Sequence, residues 1–350
     1  MSDELCTTGR VAPGFEAVRE AFTADPRGGS ALAVIAHGEV VVNLREGFAD
    51  AGRTVPWGED TLVNVYSAGK PVIAYAVLLL AERGALGLDE PVARYWPEFR
   101  AGASVRQVLA HTSGLPAFPV PRDAGAWIDW DLLCADLARA EPEWPPGTVA
   151  AEHALTYGHL LGELVRRVDG RPPARFVAEE IAAPGGLDFG FGLGPADVAR
   201  CAELEYETPD WPQRMLGAPG SLHARAVSNP AGARDLAVVN GSGWRSASVP
   251  AVNLHATAMS LARFYAGLMD APIGASMASP QFAGVDRFLD QDVVWGLGVQ
   301  LEPDSSWGMG GLGGNAAWAD PVRGQAIGYV TRRLGDFAAV ERIESALADS

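Results

Sequence analysis

Ser67 and Lys70 stand three residues apart in Ser67-Ala68-Gly69-Lys70, and Lys70 is the single lysine among 27 basic side chains, the rest being arginines. Arginine and lysine are not interchangeable where a proton must be given up. A guanidinium stays protonated, whereas a buried ammonium shifts readily enough to act as a base. A chain that uses arginine everywhere except one turn after a serine points to Lys70 as a titrating group beside a hydroxyl. The plainer alternative is a lysine that survived by chance and pairs with a carboxylate.

Pro71 fits only the first turn of a helix, which places the helix start near Ser67. Ser67 then sits where free backbone N–H groups and the positive end of the helix dipole converge, with Lys70 one turn on along the same face. Apolar residues Val72, Ile73, Ala76, Val77, Leu79 and Leu80 cover several faces, so this helix should be buried nearly all round. Upstream, residues 15–23 read as a helix. Residues 31–36 and 40–44 read as strands of a hairpin turning at His37-Gly38. From residue 84 to 269 the pattern is mainly helical with proline- and glycine-bearing loops, clearest at 105–110, 132–140, 157–168 and 255–269. Strand patterns return at 293–301 and 324–331, and an amphipathic helix at 337–347 follows. Strands at both ends with helices between predict one sheet built from both termini and an all-helical insertion. The expected division is an α/β sheet domain of residues 1–83 and 276–350, a mainly helical domain of 84–275, and a cleft between them.

A chain of 350 residues exceeds the size at which one core stops growing. The formal net charge of −16 excludes nucleic acid as a partner, since no basic stripe is present to meet a phosphate backbone. The longest apolar stretch, residues 71–81, is too short to span a bilayer, and no membrane association is expected. Asp3, Glu4, Glu16 and Glu20 interrupt the first 20 residues, so no signal peptide is expected. Cys6, Cys134 and Cys201 are odd in number and lack metal-type spacing, which suits a reduced, cytoplasmic chain without structural disulfides. No cofactor or metal is implied. The glycine-rich run Gly308-Met309-Gly310-Gly311-Leu312-Gly313-Gly314 lacks the β-α-β context of a dinucleotide site.

Several separated segments together resemble the serine β-lactamase-like superfamily, in particular class C β-lactamase-related esterases, the family VIII carboxylesterases. They are Val65-Tyr66-Ser67-Ala68-Gly69-Lys70, then Val108-Leu109-Ala110-His111-Thr112-Ser113-Gly114-Leu115, then Pro146-Gly147-Thr148 ahead of Tyr157-Gly158-His159-Leu160-Leu161-Gly162. Asn253-Leu254-His255-Ala256-Thr257 and Trp307-Gly308-Met309-Gly310-Gly311-Leu312, followed by Ala319-Asp320-Pro321, belong to the same resemblance. S-x-x-K alone recurs by chance; S-x-x-K followed by His-Thr-Ser-Gly-Leu does not. The resemblance implies a β-lactamase/DD-peptidase-like α/β (α+β) fold, an antiparallel sheet flanked by helices plus an inserted helical domain. It implies Ser67 as nucleophile, Lys70 as its base partner, and an oxyanion held by the N–H groups of Ser67 and Leu312.

Two positions depart from the family pattern. Glu152, in Glu152-His153-Ala154, stands where relatives carry a tyrosine that shuttles protons. Met309 stands where the third motif carries Lys or His. Three readings of Glu152 are open: a working general base, a partner of Lys70 in a binding site, or a slipped register with Tyr157 supplying the phenol. Its charge would also raise the Lys70 pKa, against the role of a neutral base. Met309 reads as an apolar lining residue, which disfavours β-lactam and peptide carboxylates. His111 reads as structural. Tyr157, His153, His255, Trp307, Met309, Gly310 and Gly311 are expected to line the substrate site, with Trp307 a wall near Met309. The expected function is acyl transfer through Ser67 on a small ester or amide, to water or to an amine or alcohol of a biosynthetic pathway. The competing class is a binding protein that kept the fold and lost the chemistry; a β-lactamase or DD-peptidase is disfavoured by Met309.

Overall fold

The computed structural model of the chain describes residues 7–348 and 350. Cys6, Asp3 and Glu4 lie outside the described residues. Cys134 and Cys201 are buried free thiols. No helix among the described residues is long and apolar enough to cross a membrane.

An antiparallel sheet of nine strands takes its members from both ends of the chain. In spatial order they are Thr8–Val11, Glu39–Gly47, Gly29–Ala36, Gln325–Thr331, Asn315–Asp320, Trp307–Gly311, Gln300–Leu301, Gln291–Trp295 and Phe282–Asp286. The hairpin at His37-Gly38 closes with both residues at positive φ, 49° and 84°, and pairs Ala36 with Glu39. That is the turn whose twist matches its strands. Alternation along the central strands sends Leu32, Val34, Leu44 and Ile327 to one face, under the terminal helices Glu16–Thr23 and Ala338–Ala348. The opposite face carries Ala33, Ala326 and Val330 under the helix Ala258–Met269. Gly328 permits that packing, because a Cβ there would lie 2.3 Å from the Ala258 carbonyl.

Three local expectations change. The continuous strand over 293–301 is two strands, because Gly296 and Gly298 (φ 84°) turn the chain between Trp295 and Gln300. The helix expected from 255 starts at Ala258, where the Thr257 hydroxyl caps it by accepting from Ser260 N–H. His255–Ala256 is instead the middle strand of a small antiparallel sheet between Val63–Asn64 and Phe189–Gly190. The edge strand Phe282–Asp286 was not expected; Gly284 and its exposed alternate positions hide the strand pattern. Residues 70–82 form the expected helix, Lys70–Glu82, with nine of thirteen residues buried, packed against the helix Tyr157–Asp169.

Candidate active site

Ser67 does not begin the α-helix directly. It lies in a 3₁₀ turn, Tyr66–Gly69, that runs into Lys70–Glu82. Tyr66 enters that turn at φ 49°, a left-handed conformation rare for a bulky side chain. Gly311, on the strand Trp307–Gly311, presses on the same turn: a Cβ at Gly311 would lie 2.1 Å from the Val65 carbonyl and 3.1 Å from Ala68 N. The third glycine-rich motif is therefore seated against the backbone around Ser67. Among the described residues, neither the Ser67 nor the Leu312 N–H is used in a turn or loop hydrogen bond.

Lys70 Nζ donates to Ser67 Oγ at 2.6 Å and lies 2.9 Å from Glu152 Oε1, and Ser67 Oγ lies 3.4 Å from the same oxygen. Lys70 is fully buried and the Glu152 side chain is 8 % exposed. Burial pushes the Lys70 ammonium below its ordinary value, and the Glu152 charge and hydrogen bond oppose that shift without cancelling it. The sequence reading held both effects, burial lowering the ammonium and the Glu152 charge raising it; desolvation is the larger one.

Glu152 is held from behind. Its backbone N–H donates to Asp286 Oδ1 at 3.1 Å, and fully buried Asp286 also accepts from Phe288 N, Leu289 N and Trp295 Nε1. One carboxylate thus ties the sheet edge to the second motif. His111 accepts at Nδ1 from His153 N–H, and its ring stacks on Tyr157 and packs on Trp295 with both centroids 4.4 Å away. Burial drives the His111 pKa well below the ordinary histidine value, so its ring is a neutral acceptor in this wall.

A cavity of about 290 Å³ opens beside Ser67. Ser67, Glu152, Met309, Gly310, Gly311 and Leu312 all line it. Four expected lining residues do not. Tyr157 is fully buried and donates to the Leu109 carbonyl at 3.0 Å. His153 is buried with its ring between Ser113 Oγ and the Ala151 carbonyl. His255 is buried with Nδ1 against the Asn253 carbonyl. Trp307 packs on Tyr265 behind the sheet. Each is a polar or aromatic group whose partner lies inside the fold, and none lines this cavity. Of Glu152 and Tyr157, the one beside Lys70 is Glu152. Sequence reasoning passed over Tyr66, His223, Arg234, Phe288 and Phe337, which also line the cavity. Only Tyr66, next to Ser67, carried a local signal.

An antiparallel sheet from both ends of the chain, with a buried Ser-x-x-Lys turn under one strand, is the β-lactamase/DD-peptidase-like fold of serine enzymes. The family model described as Beta-lactamase matches residues 16–349. The chain belongs to the beta-lactamase family. It is 32 % identical to Esterase/beta-lactamase LipL of Mycobacterium tuberculosis (strain ATCC 25618 / H37Rv), over 93 % of this chain and 83 % of that protein. Among solved structures, a family VIII carboxylesterase superposes with a TM-score of 0.89 at 30 % identity, covering 99 % of this chain and 100 % of that one. A penicillin-binding protein homologue from Caulobacter crescentus superposes at 0.86 with 35 % identity, again over 99 % of this chain and 100 % of that one.

Proposed function

We propose that the chain is an esterase or transacylase in which Ser67 carries the acyl group, with Lys70 and Glu152 as its proton machinery. The observation that supports this is the three-centre contact of Ser67 Oγ, Lys70 Nζ and Glu152 Oε1, all within 3.4 Å, with Ser67 and Glu152 on the wall of one cavity and Lys70 buried behind them. When Nζ donates to Oγ, the hydroxyl proton is directed to the remaining acceptor, Glu152 Oε1. Transfer of that proton frees Oγ to bond the substrate carbonyl carbon, and the carbonyl oxygen takes the charge in front of the Ser67 and Leu312 N–H groups. Collapse expels the alcohol or amine, which takes the proton from Glu152. The acceptor, water or an amine or alcohol, then gives its proton to Glu152 as it attacks the acyl carbon, and collapse breaks the Oγ–carbon bond as Ser67 Oγ takes that proton back from Glu152. On this reading residues 1–83 and 276–350 form one side of the cleft, together with the helix Ala258–Met269 that covers their sheet, and the rest of 84–275 forms the other.

Incubation with a fluorophosphonate, read by intact mass, tests the proposal. The expected result is one adduct on wild type and none on Ser67→Ala. Glu152→Gln should acylate on the order of 100-fold more slowly. Glu152→Tyr restores the relatives' residue and should recover part of that rate. Wild type that forms no adduct but binds small esters would leave a binding protein.

A further inference from the structure

The cavity has a second polar end that the acyl-transfer chemistry does not use. Arg234 lines it together with Tyr66. Two of the five N–H groups of the Arg234 guanidinium reach protein acceptors, the Met215 carbonyl at 2.8 Å and Ser228 Oγ at 3.5 Å. The ionisable groups acting on it are the phenols of Tyr66 and Tyr206, and no described carboxylate stands within ion-pair reach. Burial pushes its pKa below the ordinary guanidinium value, which is the mark of a desolvated cation without a counter-ion. The Tyr66 hydroxyl is buried and has no hydrogen-bond partner. A buried donor without an acceptor is costly, and the half-buried guanidinium has given up part of its water with no carboxylate in return. The two failures of pairing meet on one cavity wall. The chain around them is strongly acidic, with a net charge of −16, so counter-ions were abundant and were not placed here.

We propose that Arg234 and Tyr66 form a carboxylate subsite, and that the substrate of Ser67 is a monoanionic ester or amide whose carboxylate is remote from the scissile bond. This rests on the acyl-transfer reading and names its substrate class. The carboxylate accepts from the free guanidinium N–H groups and from the Tyr66 hydroxyl, which supplies both missing partners. Its place is the loop carrying Arg234, not the third-motif position, where Met309 offers no charge. The carboxylate can belong to the acyl chain or to the alcohol.

Matched ester pairs separate these sources. The acyl arm compares p-nitrophenyl monoesters of six- to eight-carbon dicarboxylic acids with their methyl-capped neutral forms. The alcohol arm compares 4-carboxyphenyl butyrate with 4-(methoxycarbonyl)phenyl butyrate. In one arm wild type should favour the anion in kcat/KM on the order of ten- to a hundredfold. Arg234→Met should collapse that ratio, Arg234→Lys should keep most of it, and Tyr66→Phe should lower it severalfold. Equilibrium binding to Ser67→Ala keeps the test independent of turnover: monomethyl adipate or 4-hydroxybenzoate should bind more tightly than its methyl ester, and Arg234→Met introduced into Ser67→Ala should remove the difference. Equal rates and equal binding of anion and neutral form in both arms, or a preference that survives Arg234→Met, would overturn the subsite. Absence of any Ser67 acylation with the binding preference intact would instead defeat the acyl-transfer reading alone.

Discussion

Removing one member of the Lys70–Glu152 pair should destabilise the protein far more than removing both. The pair is 2.9 Å apart, with side chains 0 % and 8 % exposed, so each charge has lost its water and depends on the other. Breaking such a pair from one side strands the survivor and costs about 3–5 kcal/mol. Lys70→Met keeps the length of the stem and leaves the carboxylate; Glu152→Gln keeps the shape and leaves the ammonium. The double variant holds two neutral side chains of nearly the original volume, and should fall within about 1 kcal/mol of wild type or exceed it. The coupling between the two positions, the two single costs less that of the double variant, is then about 5 kcal/mol or more. Urea midpoints at constant m measure the four stabilities, and fluorophosphonate labelling of the same samples measures the chemistry. The double variant is expected to be stable and unlabelled, since the pair serves the reaction rather than the fold. Additive single effects, or a Lys70→Met cost below about 1 kcal/mol, would refute the desolvated ion pair on which the reasoning rests.

Gly311→Ala would drive a methyl into the Val65 carbonyl and the Ala68 amide, both backbone of the Ser67 turn; acylation should fall on the order of 100-fold with little change in ester KM, as read by steady-state kinetics. Burial holds His153, His159 and His255 neutral down to about 4, 3 and 3. Their unfolded forms take protons near 6.5, so between about pH 4 and 6.5 the unfolded chain binds more protons and stability drops as pH falls, by about 1.4 kcal/mol per pH unit for each histidine. Glu344, pushed up to about 7 by burial and then by Glu302, Asp304 and Glu341, acts in the opposite sense and offsets about one of them. Urea midpoints should therefore fall from pH 6.5 to 5. His159→Leu should flatten that slope and raise the midpoint at pH 5, because neither His159 ring nitrogen has a partner. A midpoint indifferent to pH in this range would contradict the assignment.

Ser67 and Lys70 were legible because their relation is local: a three-residue spacing in one helical turn needs no tertiary information. Glu152 was legible only through its place in a family motif, since 85 residues separate it from Ser67. His255 and Tyr157 were misplaced for a common reason. Their side chains serve backbone carbonyls inside the fold, Asn253 two residues away and Leu109 48 residues away, and nothing in residue type distinguishes that from facing a ligand. Arg234 was illegible among many arginines, because what sets it apart is the absence of a partner, a property of the fold. The same holds for the sheet. The Gly29–Ala36 and Glu39–Gly47 hairpin carries its turn in sequence, whereas Phe282–Asp286 becomes a strand by pairing with Gln291–Trp295.

The exchange of a phenol for Glu152 alters the electrostatics of the whole cavity. A neutral tyrosine beside a protonated Lys70 would leave a positive centre at the nucleophile, suited to drawing a substrate anion toward Ser67. Glu152 at 2.9 Å cancels that charge locally and places its own carboxylate on the cavity wall. The uncompensated positive charge of the cavity is then Arg234. A substrate carboxylate would be repelled from the Ser67 end and attracted to the other, and at low dielectric both effects act over the width of a cavity of about 290 Å³. The two interactions orient the ester in one sense, with its anionic end away from the scissile bond. The lone lysine completes the arrangement. An arginine at position 70 could neutralise Glu152, but its planar fork could not replace the compact ammonium that donates to Ser67 Oγ at 2.6 Å and turns the hydroxyl proton toward Glu152.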